Sequence, residues 1–182
     1  MKIDESKAQA LEKNHIYYVR CMCEVAVVSA LYVALTFLSN TVGFAYGPIQ
    51  FRVSEALVIL VAFRRHLISF VPISCIIANL LSPYGAWDLL FMPVVSTIAA
   101  LPIWFFYHRF SSPFMKFCTL TISSWSYAII TALGVGFMIS VITKTPFWIN
   151  TTPVLISQIT IMTISAVLSG LPGLIGGKKR KL

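Results

Sequence analysis

The sequence predicts an all-α integral membrane protein built as a six-helix bundle. Hydrophobic residues make up 58% of its 182 residues and charged residues only 11%, whereas soluble domains are usually nearer half apolar and a quarter charged. The apolar runs are long and continuous rather than alternating, which indicates helices. Since lipid offers backbone groups no hydrogen bonds, helices are one of the two structures that can span it.

We predict six spans in a single domain covering residues 25–176. A charged segment, residues 1–24, precedes it, and a basic tail, residues 177–182, follows it. The second and third spans are shorter than the roughly 20 residues that cross a bilayer, so we expect them to be tilted, broken or incomplete. The six spans are Val25–Phe44, Pro48–Phe63, Leu67–Leu81, Trp87–Tyr107, Phe117–Ile142 and Phe147–Ile175.

Positive charge predicts the orientation of the bundle. With six spans, twelve of the fourteen Lys and Arg residues fall on the side that holds both termini, and only Arg52 and Lys144 fall on the other. Cytoplasmic loops carry the excess of Lys and Arg in membrane proteins. We therefore expect a multi-pass protein of the cell membrane with both termini in the cytoplasm. The terminal Lys178–Lys181 run either anchors the last helix or binds anionic lipid.

Polar residues in the outer half of the bundle form the predicted binding site. Ionisable groups inside a membrane segment are costly and by default indicate function. Arg52 and Glu55 are three residues apart, so they either form a structural ion pair or contact a ligand. A carboxylate at Glu55 can accept two parallel hydrogen bonds from a heterocycle with adjacent N–H donors. The predicted ligand contacts are Gln50, Arg52, Glu55, Asn79, Trp87, Asp88, Trp148 and Gln158.

Several of these residues have a structural alternative. Asp88 lies near a predicted helix start and could be a helix cap. Trp87 and Trp148 could belong to an interfacial aromatic belt or stack on a planar ligand. The irregular stretch 43–52, rich in Gly and Pro, cannot continue a regular helix and is a candidate wall of the site.

Small residues on the first span suggest a surface for another membrane protein. Ala26, Ala30 and Ala34 recur at every fourth position, a spacing that lets a second helix approach closely. The alternative is ordinary packing within the bundle. The four cysteines have no metal-ligand spacing, and no phosphate-binding loop or catalytic motif is present. We expect no metal, no cofactor and no enzymatic activity.

Two motifs give the chain a resemblance to a known family. Residues 47–57, Gly-Pro-Ile-Gln-Phe-Arg-Val-Ser-Glu-Ala-Leu, and residues 78–88, Ala-Asn-Leu-Leu-Ser-Pro-Tyr-Gly-Ala-Trp-Asp, resemble the QueT family. These proteins are substrate-binding S components of energy-coupling factor (ECF) transporters. The likeness extends from Ala30 to Pro172. It departs from the family pattern at Met92-Pro93 and at Ser157-Gln158, where a Gly-Glu pair is expected.

The resemblance implies a function and a set of partners. The substrate would be a 7-deazaguanine such as preQ1, preQ0 or queuine, with Gln50, Glu55, Asn79 and Asp88 at the matching motif positions. The bundle would dock through Ala26, Ala30 and Ala34 on a transmembrane coupling protein driven by two ATPases. Alternatives are an S component for another vitamin or heterocycle, and a structural membrane protein. Glu55→Gln should weaken binding by about 1–3 kcal/mol.

Overall fold

The computed structural model describes residues 2–43, 50–80 and 82–175, and across those ranges the chain is helical without a β-strand. This confirms the all-α prediction. These ranges contain five α-helices: α1 (Lys2–Thr41), α2 (Phe70–Asn79), α3 (Ala86–Phe106), α4 (Pro113–Thr143) and α5 (Phe147–Ile175). Three 3₁₀ helices cover Val53–Ala62, Arg65–Ser69 and Tyr107–Arg109. Part of the predicted site wall, residues 44–49, and the basic tail lie outside the described residues.

In the part of the chain that the structure describes, four helices are long and apolar enough to cross a membrane: Leu11–Thr41, Ala86–Arg109, Pro113–Thr143 and Phe147–Gly170. The apolar segments Val53–Ala62 and Arg65–Asn79 are shorter. The count of six spanning helices is therefore not confirmed within the described residues. Helical segments are present at the six predicted positions, and the second and third are as short as the sequence predicts.

The two short segments gain length from their winding. Val53–Ala62 is a 3₁₀ helix, and Arg65–Ser69 is another that leads directly into α2. A 3₁₀ helix rises about 2 Å per residue against 1.5 Å for an α-helix, so these segments reach about 20 Å and 25 Å. Both remain shorter than a hydrocarbon layer of about 30 Å. Neighbouring helices bury them, as the fully enclosed Val58, Val61 and Phe70 indicate.

Helix α1 begins at Lys2, far ahead of the predicted start of the first span at Val25. No Gly or Pro interrupts the chain before Gly43, so nothing breaks the helix between the charged and the apolar parts. The charged N-terminal segment and the first span are thus one continuous rod.

Glu24 marks one end of the bundle and joins α1 to the following segments. Its Oε1 lies 3.2 Å from Arg20 Nε and 3.6 Å from an Arg64 guanidinium nitrogen, and its Oε2 lies 2.8 Å from His66 Nε2. At the same end the Trp104 indole donates to the Arg65 carbonyl at 3.2 Å. Basic residues from α1 and from the segment that follows the first 3₁₀ helix therefore gather at one end of the molecule.

Helices α4 and α5 pack with almost no space between them. A Cβ added to Gly136 would lie 1.9 Å from Thr151 Oγ1 and 3.0 Å from the Thr151 Cα. Only a residue without a side chain allows this approach, as is common where membrane helices meet. The outward faces of the bundle are apolar, with Leu90 72% and Ile122 67% exposed. This is the surface expected of a helix bundle in lipid.

Candidate functional site

A buried carboxylate lies at the centre of the bundle, held by two phenol groups. Glu55 lies in the first turn of the 3₁₀ helix Val53–Ala62 and is only 4% exposed. The Tyr32 hydroxyl of α1 donates to Glu55 Oε1 at 2.9 Å. The Tyr127 hydroxyl of α4 donates to Oε2. Each carboxylate oxygen thus has one neutral donor and keeps acceptor capacity for another.

A cluster of three polar side chains lies next to this carboxylate and connects three segments of the chain. Arg52 donates from one guanidinium nitrogen to Asn79 Oδ1 at 3.3 Å, and another lies 3.9 Å from Asp88 Oδ2. Asn79 Nδ2 lies 3.3 Å from Asp88 Oδ1 and 3.1 Å from the Asp88 carbonyl oxygen. The ion pair recorded for Arg52 is therefore with Asp88. All three side chains are at most 4% exposed.

A tight turn brings Asn79 and Asp88 together. Asn79 is the last residue of α2 and Asp88 lies in the first turn of α3. Between them Gly85 adopts a φ of +59° and a ψ of −133°, a positive-φ conformation that glycine accepts without steric cost. The N-cap position of α3 is Gly85, so Asp88 is the third residue of the helix rather than its cap, and its side chain lies near those of Asn79 and Arg52.

Five buried side chains keep a polar atom without a hydrogen-bond partner among the described residues. Two are the serines Ser29 and Ser124, and three are predicted ligand contacts: Gln50 Nε2, Asp88 Oδ2 and Gln158 Oε1. Each of these three contacts is at most 3% exposed. A buried polar group left unpaired costs free energy, and in native proteins it usually has an explanation in function or in a bound molecule.

Gln158 approaches the site from the last helix. Ser165 Oγ of α5 donates to the Ala56 carbonyl at 2.8 Å. This hydrogen bond places Ser165 beside Ala56 and so defines how α5 is aligned along the 3₁₀ helix Val53–Ala62. Gln158 is seven residues before Ser165, about 10 Å nearer the start of α5. The 3₁₀ helix begins at Val53, three residues before Ala56, so we infer that Gln158 lies near the level of the residues just before that helix, Gln50 and Arg52.

Six of the eight predicted contacts are therefore buried, and four of them, Arg52, Glu55, Asn79 and Asp88, lie in the hydrogen-bonded groups described above. The other two are tryptophans on the surface of the bundle. Trp87 is 56% exposed and Trp148 69% exposed. Their proposed contact with substrate stays a prediction.

Sequence reasoning missed Tyr32 and Tyr127, which hold Glu55. A phenol hydroxyl within a membrane segment needs a hydrogen-bond partner. The position of each tyrosine in the middle of an apolar run was therefore a usable signal. Thr36 was missed too; its hydroxyl donates to Ser54 Oγ at 2.8 Å and joins α1 to the same 3₁₀ helix.

The predicted docking residues lie apart from this buried site. Ala26, Ala30 and Ala34 are exposed and line an apolar groove of about 840 Å³ along α1. The groove is bounded on the other side by residues before and within α2, among them His66, Ile73 and Ile77. Its lining includes none of the predicted substrate contacts.

The fold and the site together define a multi-pass membrane protein with a polar cluster enclosed among apolar helices. Comparison with known families is more specific: the QueT transporter family model matches residues 22–171. The chain belongs to the QueT transporter family. Transport, rather than catalysis, is the activity of that class.

One curated relative is similar to part of the chain. The protein named Queuosine precursor transporter QueT from Lactococcus lactis subsp. cremoris (strain MG1363) is 48% identical over 58 residues. That match covers 32% of this chain and 34% of the relative, so the chain aligns with about a third of the relative's length. No solved structure matches the chain.

Proposed function

We propose that this protein is the substrate-binding S component of an ECF transporter and captures a 7-deazaguanine queuosine precursor (preQ1, preQ0 or queuine) from outside the cell. Membership of the QueT transporter family supports the transport role. The name of the Lactococcus lactis relative supports the class of substrate.

The buried Glu55 carboxylate is the observation that carries the proposal. Two tyrosine hydroxyls from different helices fix its orientation, so its remaining lone pairs have a defined direction before ligand arrives. A guanine-like edge presents adjacent N–H donors, which match the two oxygens of a carboxylate. A group ordered in advance avoids part of the entropic cost of binding.

The unpartnered buried atoms support the same assignment. Gln50 Nε2 is a donor, whereas Gln158 Oε1 and Asp88 Oδ2 are acceptors. A ligand that carries both donors and acceptors on its ring or substituent would pair with all three and remove the cost of leaving them unsatisfied. A merely structural polar cluster gains nothing from these open positions.

The groove along α1 is the proposed docking surface for the transmembrane coupling protein. Its exposed alanines leave room for a close helix–helix contact, and apolar residues line most of it. Energy for uptake would come from the two ATPases bound to that partner. In this arrangement the end of the bundle around Glu24, Arg64 and His66 faces the cytoplasm, as the excess of positive charge favours.

Titration calorimetry on the purified full-length protein in detergent tests the proposed substrate. We expect saturable binding of at least one of preQ1, preQ0 and queuine, with one ligand per chain. A monodisperse, helical protein that binds none of them would refute the proposal. Mass spectrometry of small molecules that co-purify provides an independent measurement.

A competition panel separates the main alternative, an S component for another vitamin or heterocycle. Unlabelled guanine, adenine, riboflavin and thiamine are added at large excess over a labelled deazaguanine. We expect only deazaguanines and, more weakly, guanine to compete. Displacement by an unrelated vitamin at low concentration would favour the alternative.

A further inference from the structure

The charges buried at the site do not cancel. Among the described residues, the buried ionisable side chains with a formal charge at neutral pH are Arg52, Glu55 and Asp88, at 4%, 4% and 1% exposure. One cation stands against two carboxylates, which leaves a formal charge of −1 when both are ionised. Enclosing an uncompensated charge in a low-dielectric interior is strongly unfavourable, so something must neutralise it when the site is closed.

Asp88 is the carboxylate with an open oxygen. Glu55 accepts a phenol hydrogen bond on each of its oxygens, and Asp88 Oδ1 accepts from the Asn79 amide. Asp88 Oδ2 has no hydrogen-bond partner among the described residues. The nearest recorded cation, on Arg52, is 3.9 Å away, whereas charge-assisted N–H···O bonds are about 2.7–2.9 Å long.

We propose that the ligand itself supplies the missing positive charge: the site selects a cationic 7-deazaguanine whose protonated amine binds Asp88 Oδ2. The inference rests on the function proposed above and narrows its substrate. An alkylamine has a pKa close to that of lysine, about 10.4, and is an ammonium at neutral pH. The nitrile and carboxamide analogues of the same heterocycle carry no charge.

In this arrangement two carboxylates bind different parts of the ligand. Glu55 accepts from the N–H donors of the heterocycle, and Asp88 binds the ammonium on the substituent. An ammonium has three donors, and Gln158 Oε1 is a second unpartnered buried acceptor for it. Asp88 is thus a specificity-determining residue, whereas Glu55 binds the heterocycle that all deazaguanines share.

A matched pair of ligands tests the proposal on the unmodified protein. Calorimetry at pH 7 compares 7-aminomethyl-7-deazaguanine with 7-carboxamido-7-deazaguanine, which has a similar size and no charge. We expect the amine to bind at least about tenfold more tightly, since removing one member of a buried charge pair commonly costs that much or more. Equal affinity, or a preference for the amide, would overturn the inference while leaving the proposed function intact.

Variants then assign the preference to Asp88. Asp88→Asn should abolish it, with affinity for the amine falling at least about tenfold more than affinity for the amide. Glu55→Gln should weaken both ligands together and keep their ratio. Retention of the preference in folded Asp88→Asn would overturn the assignment. Binding of neither ligand by folded wild-type protein would remove the proposed function, and this inference with it.

Discussion

Tyr127 and Tyr32 fix the orientation of a carboxylate that would otherwise rotate about its last side-chain bond. Each phenol comes from a different helix, and each donates to a different oxygen of Glu55. Both tyrosines are buried, at 0% and 4% exposure. The carboxylate therefore has one arrangement, set by α1 and α4 rather than by its own 3₁₀ helix.

Removing one of these donors should weaken ligand binding. Tyr127→Phe keeps the ring and its packing but leaves one Glu55 oxygen without its phenol. We expect a loss of about 1 kcal/mol in binding free energy, roughly fivefold in Kd, since that is the usual net contribution of one hydrogen bond. Calorimetry with a deazaguanine measures it.

Tyr18→Phe is the matched control for that experiment. Tyr18 is 62% exposed on α1, and the loss of its hydroxyl should leave affinity unchanged. An unchanged Kd in Tyr127→Phe, or an equal loss in both variants, would contradict the orienting role of the buried phenol.

The polar residues of the site could be predicted individually, because charged and amide groups stand out in apolar sequence. Glu55, Asn79 and Asp88 were predicted as ligand contacts in this way; the structure shows them buried, and their contact with a ligand stays a prediction. Their partners could not: the sequence left open whether Arg52 pairs with Glu55, and the structure records an ion pair with Asp88, 36 positions away in the chain. Spacing along a helix reports only local neighbours, whereas this contact depends on the turn at Gly85.

At the scale of elements, the contact between α4 and α5 depends on Gly136. The Thr151 side chain occupies the space that a side chain at position 136 would need. Thr151 is itself buried and its hydroxyl donates to the Phe147 carbonyl at 2.8 Å. Neither helix can make room for a larger side chain at position 136 unless its backbone moves.

Gly136→Ala should therefore destabilise the bundle. Overpacking of this kind typically costs about 1–3 kcal/mol, and we expect a lower thermal unfolding midpoint for the purified protein. The control is Leu133→Ala on the same helix, where the side chain is 40% exposed and its loss should change the midpoint little. A Gly136→Ala protein as stable as wild type would show that the helices can separate at low cost.

The winding of the short segments could not be predicted from sequence. The lengths of the second and third spans indicated that they were unusual, but the choice between α and 3₁₀ winding depends on neighbours. Val53–Ala62 lies against α1, α3 and α5, and enclosing helices can stabilise a long 3₁₀ run that is uncommon elsewhere. The helix that contains the first span also begins well before the predicted span, because a change in hydropathy is not a break in a helix.

At the scale of the whole molecule, the two ends of the bundle differ in charge. Arg20, Arg64 and His66 meet at Glu24, and Lys116 lies 5.7 Å from the centre of the Tyr107 ring at the end of α3. Lys144 follows the far end of α4. We expect the end that carries Glu24 to face the cytoplasm.

Cysteine labelling in intact cells checks this orientation. In a variant without the four native cysteines, Thr145→Cys should react with a membrane-impermeant maleimide added outside. Arg109→Cys, at the opposite end and also exposed, should react only after the membrane is permeabilised. The reverse pattern would invert the proposed topology.

The proposed docking also concerns the whole molecule. Ala30→Trp should prevent assembly with the coupling protein by filling the groove, while affinity for a deazaguanine stays within about twofold, because Ala30 is outside the buried site. Leu31→Trp is the control, since Leu31 is 51% exposed and outside the groove lining. Co-purification and calorimetry measure the two properties separately. Equal loss of both in Ala30→Trp would contradict a dedicated docking surface.

Helix α1 presents different chemistry on opposite sides. Tyr32 is two positions from both Ala30 and Ala34, and therefore about 200° around the helix axis from each. The same rigid rod that exposes the alanines also delivers the hydroxyl bonded to Glu55. If α1 rotated or tilted on binding a partner protein, the Tyr32–Glu55 hydrogen bond at the proposed ligand site would be displaced. Partner binding would then change the affinity for the ligand, and by thermodynamic linkage ligand binding would change the affinity for the partner by the same factor.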